Sequence, residues 1–545
     1  MRNHQIGGVL PNGKVRLSNK LAFACGDIFG GGSFNIINFL FTPFLTLVVG
    51  IPMVYLTPIL LLTKIWDGII DPFIGRITDG KQPGRFGKRR WFMLVCAAPV
   101  MVGLILLFFP WNLVVDSIAW KCAFVVIVYM LYATAQSFVL IPYYSHASEM
   151  TDDFNERNNT NAVRLAFSIV SSTICVAVPG MIASPTKGDN GVCYIVMASI
   201  FGFIFMVSVL ITAIFSREQI VTPAVKNKFS IKEFVRPLKV KTYRQYLGMQ
   251  MCTSMSMAAM SSFFFIFCDF FLRAFSYKAV SLGEGTRFPI ATVAAAMMFV
   301  AQAVALPFYL KLIKAKSKRF AYLTGAFVWI GVVALMFALP KETGCIVQDG
   351  KVLSQGGAPN WLLVVCGLLL GFGIGGTVFV PHSSFGDVCD VGELYFGERT
   401  EGAFSGLTNF LNTTAQAIGL AVPPLIIGLA GYVETQYVTA EEFAQIQQNG
   451  FVVVNGTSYA LDMFKVTAGN GNIQLLPLSQ AEAAQTAVQI CFLALPIAIM
   501  VLGCVIAFRY KLTKDLQQKI VAANAREDKD SEEFKQLRED LLKQL

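Results

Sequence analysis

Two acidic residues, Asp67 and Asp71, lie four positions apart in the run KIWDGIIDP, residues 64–72, inside a long apolar segment. This spacing places both carboxylates on one face of a helix, about one turn apart. Two carboxylates on one face in lipid repel each other unless a cation or a proton neutralises them. The pair therefore predicts either a cation site or part of an ion-pair cluster, in which Lys64 or Arg76 satisfies the acids structurally.

The composition places these acids in a membrane. Of 545 residues, 55% are hydrophobic, 46 are Phe and only 14% are charged, whereas a soluble protein carries roughly a quarter. This composition argues against a soluble enzyme, a nucleic-acid-binding protein and a disulfide-rich secreted protein. The 12 Cys residues show no paired spacing and lie mostly in apolar runs, which is typical of small buried side chains.

The apolar runs predict an all-α membrane protein with twelve transmembrane helices in two six-helix halves. A basic segment separates runs six and seven. We predict these boundaries: an N-terminus at 1–20, an N-terminal bundle at 21–216, a linker at 217–244, a C-terminal bundle at 245–510 with an external loop at about 433–485, and a helical tail at 511–545. Two halves joined in this way are typical of secondary transporters with a central site. The sequence contains no Walker-type motif of an ATP-driven pump.

The distribution of Lys and Arg predicts the orientation. The linker 217–244 and two short loops, 81–90 and 311–319, are rich in basic residues, and such loops stay on the cytoplasmic side. We therefore expect a multi-pass protein of the inner (plasma) membrane with both termini in the cytoplasm. The glycine clusters at 30–32 and 371–376 lie in apolar runs and predict close helix packing rather than phosphate loops.

Three blocks in chain order carry a resemblance to a known family. They are WDGIIDP at 66–72 followed by GRFGKRR at 84–90, PYYS at 142–145 followed by EMTDD at 149–153, and GDVCDVGE at 386–393 followed by RTEG at 399–402. Together they resemble the glycoside-pentoside-hexuronide:cation symporters of the major facilitator superfamily. The resemblance implies the major facilitator fold and cation-coupled import of a sugar, glycoside or sugar acid by alternating access.

The same resemblance implies that Asp67 and Asp71 hold the coupling cation together with the Ser137 hydroxyl. Sodium-using relatives have Asn where this chain has Ile70, so one oxygen ligand is missing here. Sodium, a hard cation, prefers several oxygen ligands, whereas a proton needs a single carboxylate. We therefore favour H⁺ as the coupling ion, with Na⁺ as the open alternative, and we expect no other cofactor and no metal.

The predicted substrate site combines amides, hydroxyls, an aromatic ring and a guanidinium, which suits a polyhydroxylated ligand. An unpaired Arg164 would also hold a carboxylate through a forked contact; alternatively, it pairs with an acid such as Asp27 and only joins helices. The acids with which the family holds sugar hydroxyls are missing from this chain. The identity of the substrate therefore cannot be inferred from the family. The candidate residues are Asp27, Ser33, Asn35, Tyr144, Arg164, Thr408, Asn409, Asn412 and Thr413.

Acidic residues and arginines lie in and near the three blocks. They predict a cytoplasmic gate in which acids and arginines form ion pairs across the halves in one state. Its candidate residues are Asp79, Arg85, Glu149, Arg157, Asp387, Asp390, Glu393 and Arg399. We expect the protein to act as a monomer on a small solute, with no nucleic-acid partner. Two alternatives stay open: a transporter of the same fold for a non-sugar solute, such as an amphiphilic lipid or other organic anion, and a membrane enzyme or receptor.

Overall fold

The computed structural model describes most of the chain. The described residues are 15–82, 87, 89–115, 117–150, 154–183, 191–216, 234–268, 279–281, 287–339, 342–348, 351–356, 360–397, 401–454, 457–468, 473–477, 480–524, 526 and 532–544.

Twelve helices in the described residues are long and apolar enough to cross a bilayer, which confirms the predicted fold class. Lipid offers no hydrogen-bond partner, so the backbone of each apolar run must satisfy itself as a helix. We number them spans 1–12: Leu17–Cys25 with Asp27–Pro43, Met53–Gly80, Arg90–Leu107, Ile118–Met150, Phe154–Ile182, Val192–Phe215, Lys241–Phe267, Ile290–Ala315, Lys318–Phe337, Asn360–Phe396, Glu401–Leu429, and Glu482–Gln489 with Leu495–Arg509.

Spans 1 and 12 each contain a π-helical turn. The turn Phe44–Val48 extends span 1 directly after Pro43, and the turn Ile490–Ala494 joins the two parts of span 12. Such turns shift the backbone hydrogen bonds and often mark functional positions. The turn in span 1 brings its last carbonyl groups to the point where the chain reverses into span 2.

Glycine allows spans 8 and 10 to touch through their backbones. A Cβ atom at Gly371 would collide with the carbonyl oxygen of Met298, and one at Gly367 would lie 2.6 Å from the carbonyl oxygen of Ala294. Small residues are the usual means of close helix approach in membranes. The structure thus confirms the packing role predicted for the glycines at 371–376.

The segment after span 11 folds into a small unit, where the sequence predicted only a polar loop. We call residues Val433–Gln480 the loop unit. Alternating burial in the strand Phe451–Val454 supplies two of its core residues, Val452 and Val454. The described strands, numbered β1–β9 in chain order, are Ala279–Ser281, Arg287–Pro289, Glu342–Gln348, Lys351–Gly356, Gln436–Val438, Phe451–Val454, Thr457–Ala460, Phe464–Ala468 and Ile473–Pro477. The loop unit contains the helix Ala440–Asn449 and strands β5–β9, with the sheet order β5-β9-β8, and β1–β4 form two hairpins elsewhere.

Hydrogen bonds join the two halves towards one end of the bundle. We call the end that carries the loop unit the loop end, and the end near residues 217–244 the linker end. Several hydrogen bonds between described residues cross from one half to the other towards the loop end. Examples are the 2.6 Å bond between the hydroxyls of Thr42 and Ser262, and the 2.9 Å bond that Thr57 donates to the carbonyl of Ala421.

The tail forms two helices, Lys514–Asn524 and Glu532–Gln544, where the sequence predicted one. Leu516 and Ile520 are buried, and the Asn524 side-chain amide donates to the carbonyl oxygen of Asp390 at 2.9 Å. The first tail helix is therefore packed against the linker end of span 10.

Candidate functional site

The structure brings the two acids of span 2 together with a hydroxyl of span 4. Ser137 donates to Asp71 over 2.6 Å, and its oxygen lies 3.5 Å from Asp67. Asp67 also has a basic neighbour, because its carboxylate lies 3.7 Å from the Lys64 ammonium group. The site is thus a Lys-Asp-Asp cluster on one helix face, completed by one hydroxyl.

The Lys64 side chain is fixed by its surroundings. It is only 5% exposed, and its ammonium group lies 4.6 Å from the centroid of the Phe34 ring on span 1. Two residues further along the helix, the Trp66 indole donates to the hydroxyl of Thr134 on span 4 over 3.0 Å. These contacts hold spans 1, 2 and 4 together around the acids.

The two acids differ in their charge balance. Asp67 has the Lys64 ammonium group within ion-pair distance. For Asp71, no basic group lies within that distance anywhere in the described part of the chain, and its hydrogen-bond partner is the neutral Ser137. Asp67 therefore has a basic ion-pair partner, whereas the hydrogen-bond partner of Asp71 is neutral.

A second charged cluster lies where spans 1, 4 and 5 meet. The Arg164 Nε atom lies 3.8 Å from the Asp27 carboxylate, and the guanidinium carbon lies 5.2 Å from the centroid of the Tyr144 ring. Asp27 is 3% exposed, and Arg164 Nε is buried without a hydrogen-bond partner. The pairing that the sequence left open for Arg164 is therefore present, but it is long and does not use the Nε–H as a donor.

Span 4 connects the two clusters. Ser137 and Tyr144 are seven residues apart, so both lie on one face of the helix, about 10 Å apart along its axis. Leu140, between them on the same face, would lie 3.5 Å from a Cβ atom at Gly30 of span 1. Span 4 therefore carries one side chain of each cluster.

Some of the other predicted substrate residues bond within the protein. Ser33 accepts from the Gln136 amide at 3.3 Å, and Asn35 donates to the carbonyl of Gly31 in its own helix at 2.9 Å. Thr408 bonds to the Tyr243 hydroxyl at 3.0 Å.

The remaining three residues of that set lie on span 11. Asn409 is exposed and Thr413 is half-buried, while the side-chain oxygen of Asn412 is buried without a hydrogen-bond partner. A substrate role for each of the nine residues stays a prediction, and Arg164 and Asn412 keep unused polar atoms.

The predicted gate is only partly described. Arg85 and Arg399 lie outside the described residues, as do the side chains of Asp79, Glu149 and Arg157. Asp387 contacts Lys318 of its own half at 2.6 Å. Asp390 and Glu393 are half-buried on the linker-end part of span 10. Their pairing across the halves stays a prediction.

Sequence reasoning missed several polar residues that join elements. Gln136 was not singled out, although it precedes Ser137 on span 4. Glu434, Tyr437 and Gln474 in the loop unit were not singled out either, because their partners are backbone atoms of a distant segment. When a side chain bonds to a backbone group, the partner can be any residue type, so the sequence does not identify it. Among the described residues, no group of three or more His, Cys, Asp or Glu could hold a metal ion.

Twelve spans in two halves, with charged clusters buried between helices, define a membrane transporter of the major facilitator type. The chain belongs to the family described as MFS/sugar transport protein, whose model matches residues 22–514. This match confirms the resemblance to the glycoside-pentoside-hexuronide:cation symporters and the prediction of a transporter rather than an enzyme.

Individual proteins resemble the chain over most of its length. The glucuronide carrier protein homolog of Escherichia coli (strain K12) is 24% identical over 435 residues, which cover 78% of this chain and 84% of that protein. The sodium-dependent lysophosphatidylcholine symporter 1 of Gallus gallus is 19% identical over 415 residues, covering 69% and 72%. The crystal structure of the nucleoside transporter NupG matches with a TM-score of 0.52 at 11% identity, covering 91% and 99%, which confirms the fold.

Proposed function

We propose that the protein is a cation-coupled symporter that imports a sugar, glycoside or sugar acid by alternating access, with both termini in the cytoplasm. The observation that carries this proposal is Asp71, an acid inside a membrane helix whose described partner is the neutral Ser137 hydroxyl. An ionisable group kept in this position without a counter-charge is costly unless an ion visits it. The carrier and symporter names of relatives support the same class.

The coupling ion in this proposal is a proton. The Lys64 ammonium group beside Asp67 already contributes one positive charge to the cluster, which disfavours a second fixed cation between the two acids. Asp71 and Ser137 offer few oxygen ligands, and Ile70 offers none from its side chain. A sodium ion prefers more oxygens, whereas a proton needs only the Asp71 carboxylate.

The substrate binds between the two clusters, next to Arg164. The long Arg164–Asp27 contact of 3.8 Å leaves the guanidinium free to turn towards a ligand. A hexuronide carboxylate would accept two parallel hydrogen bonds from it, and the Tyr144 ring would cover a sugar face. An acidic sugar therefore fits this cluster better than a neutral one.

The proposed cycle is driven by the proton gradient. A proton on Asp71 and a solute at Arg164 allow the halves to rock, and both are released at the linker end. The carboxylate of a hexuronide cancels the charge of one proton, so the cycle moves no net charge and the pH difference supplies about 1.4 kcal/mol, or tenfold accumulation, per pH unit. For a neutral sugar, the membrane potential adds about 2.3 kcal/mol per 100 mV. Tight coupling requires that the half-loaded carrier rocks slowly.

Transport by purified protein in sealed proteoliposomes tests this proposal. Asp71→Asn should abolish uphill accumulation of the substrate while retaining some exchange at equal concentrations. The matched control is Asp515→Asn, the same change in the tail helix, which should accumulate substrate normally. Normal accumulation by Asp71→Asn would contradict the proposal.

A second candidate is a transporter of an amphiphilic organic anion. A cleft of about 210 Å³ lies beside the acids between spans 2 and 11, lined by Gly68, Pro72, Phe73, Arg76 and Phe410. Its apolar walls and single basic residue suit an acyl chain with an anionic head group. The relative named as a lysophosphatidylcholine symporter favours the same class.

Thermal unfolding of the purified protein separates the two candidates, because a bound ligand stabilises the folded state by mass action. Stabilisation by hexuronides and not by lysolipids supports the sugar proposal, and the reverse result supports the amphiphile. Filling the cleft with Gly68→Leu should reduce lysolipid stabilisation only.

A further inference from the structure

The loop unit belongs to the C-terminal half but bonds to the N-terminal half. The Glu434 carboxylate accepts from the backbone N–H of Met53 at 2.8 Å. The Tyr437 hydroxyl donates to the carbonyl of Val48, and the Gln474 amide lies 3.5 Å from the carbonyl of Leu47. Each of these contacts therefore crosses the boundary between the halves.

The backbone groups involved are those that a helix cannot satisfy itself. Leu47 and Val48 lie in the last turn of span 1, and Met53 is the first residue of span 2. Carbonyls at a helix C-terminus and N–H groups at an N-terminus lack partners within the helix, and an acidic side chain at an N-terminus interacts favourably with the helix dipole. The loop unit thus supplies caps for two helices of the opposite half.

The local backbone is shaped for this contact. Gly50, in the turn between spans 1 and 2, has a φ of +73°, and a Cβ atom there would lie 2.9 Å from the carbonyl oxygen of Thr435. Glycine is suited to both the positive φ and the close approach. The backbone of the turn therefore lies directly against Thr435, the residue before the first strand of the loop unit.

The base of the loop unit is fixed to its own half. The Gln480 side-chain oxygen accepts from the Val433 N–H at 2.8 Å, and its amide donates to the Val433 carbonyl at 2.8 Å. These two bonds join the start and the end of the unit between spans 11 and 12. When the C-terminal half moves, the unit must move with it.

We propose that the loop unit is a latch that holds the loop end of the transporter closed by capping helix ends of the opposite half. Opening of the loop end separates Glu434 from span 2, and Tyr437 and Gln474 from span 1. The latch favours the state that is closed at the loop end and sets the fraction of molecules open there. This inference rests on alternating access within the proposed function, but not on the substrate or the coupling ion.

A buried cysteine reports opening at this end. Ser262 is fully buried on span 7 and faces Thr42 across the halves, so Ser262→Cys becomes reactive only when the loop end opens. The rate of alkylation by a membrane-impermeant thiol reagent is followed at position 262 by peptide mass spectrometry. Fragmentation spectra assign the label to position 262 and so separate it from alkylation of the native Cys252 and Cys268 on the same span.

The reporter is combined with Tyr437→Phe alone, with Tyr437→Phe plus Glu434→Ala, and with Tyr459→Phe. The last is the matched control, because Tyr459 lies in the loop unit and pairs with Val452 in the hairpin of β6 and β7. The net value of one hydrogen bond corresponds to about a two- to tenfold change in population. We expect that factor for Tyr437→Phe, a larger one for the double variant and none for the control.

An unchanged alkylation rate in the double variant would overturn the latch, and so would an equal rise in the Tyr459→Phe control. If Glu434→Ala prevents folding, Tyr437→Phe with Gln474→Ala gives the same test, with thermal unfolding as the check of the fold. The assay contains no substrate and no ion gradient. Altered labelling with failed transport therefore counts against the proposed function and not against the latch.

Discussion

Removal of the Lys64 charge should change the ion that the site accepts. In Lys64→Gln, Asp67 loses its ion-pair partner and the cluster keeps two acids without the ammonium group, while the amide retains much of the side-chain volume. Two opposite charges 3.7 Å apart interact by about 4 kcal/mol at an effective dielectric constant of about 20. This energy corresponds to an upper limit of about three orders of magnitude in cation affinity.

Relaxation of the helix and entry of water will reduce this effect, so we expect a gain of at least about tenfold in apparent sodium affinity. The assay is thermal unfolding of purified protein over a series of NaCl concentrations, with choline chloride keeping the ionic strength constant. The wild-type protein should show no sodium-specific stabilisation, and Lys64→Gln should acquire it.

Lys318→Gln is the matched control, because it removes a lysine from an ion pair in the other half, 2.6 Å from Asp387. It should not create a sodium response. A folded Lys64→Gln protein without sodium-specific stabilisation would refute the reasoning that the ammonium group occupies the place of a cation. Sodium-specific stabilisation of the wild type would also refute it.

Three further predictions concern stability and specificity. Burial raises the pKa of Glu434 to about 7 from its ordinary value of 4.5, so its contribution to stability is complete below pH 4.5 and is lost as the pH rises through 7. The loss amounts to about 3 kcal/mol; thermal unfolding between pH 4.5 and 8.5 should show it in the wild type, and Glu434→Gln should flatten that slope. Arg164→Lys keeps the charge but cannot donate two parallel hydrogen bonds. It should weaken hexuronide binding, measured by calorimetry, at least about tenfold, and equal affinity would contradict the two-bond contact. Gly371→Ala should lower the unfolding temperature because its Cβ atom meets the Met298 carbonyl, whereas Gly331→Ala, with open space around it, should not.

The spans could be predicted from the sequence because each one depends only on a local run of apolar residues, not on contacts between distant segments. A run of apolar residues in lipid must be helical, so the twelve helices and the two halves follow from composition along the chain. The cluster of Asp67, Asp71 and Ser137 was predicted from helical spacing and from a family resemblance. The structure brings the three side chains together, and their role in ion coupling stays a prediction.

Other features could not be predicted, because they depend on the distance between remote segments. The sequence left open whether Arg164 pairs with Asp27, and only the packing of spans 1 and 5 places them 3.8 Å apart. Nothing in the residues 433–480 indicates that Tyr437 bonds to a carbonyl of span 1. The loop unit also mixes short strands and a helix, and its alternation over four residues is too brief to distinguish from a polar loop.

The most direct test of the central claim is substrate-driven proton flux in proteoliposomes free of sodium, followed with a pH-sensitive dye outside the vesicles. Addition of the substrate should make the external solution more alkaline with wild-type protein and leave it unchanged with Asp71→Asn. Equal alkalinisation by Asp71→Asn, or none by the wild type until sodium is added, would contradict the claim that Asp71 carries the coupling proton.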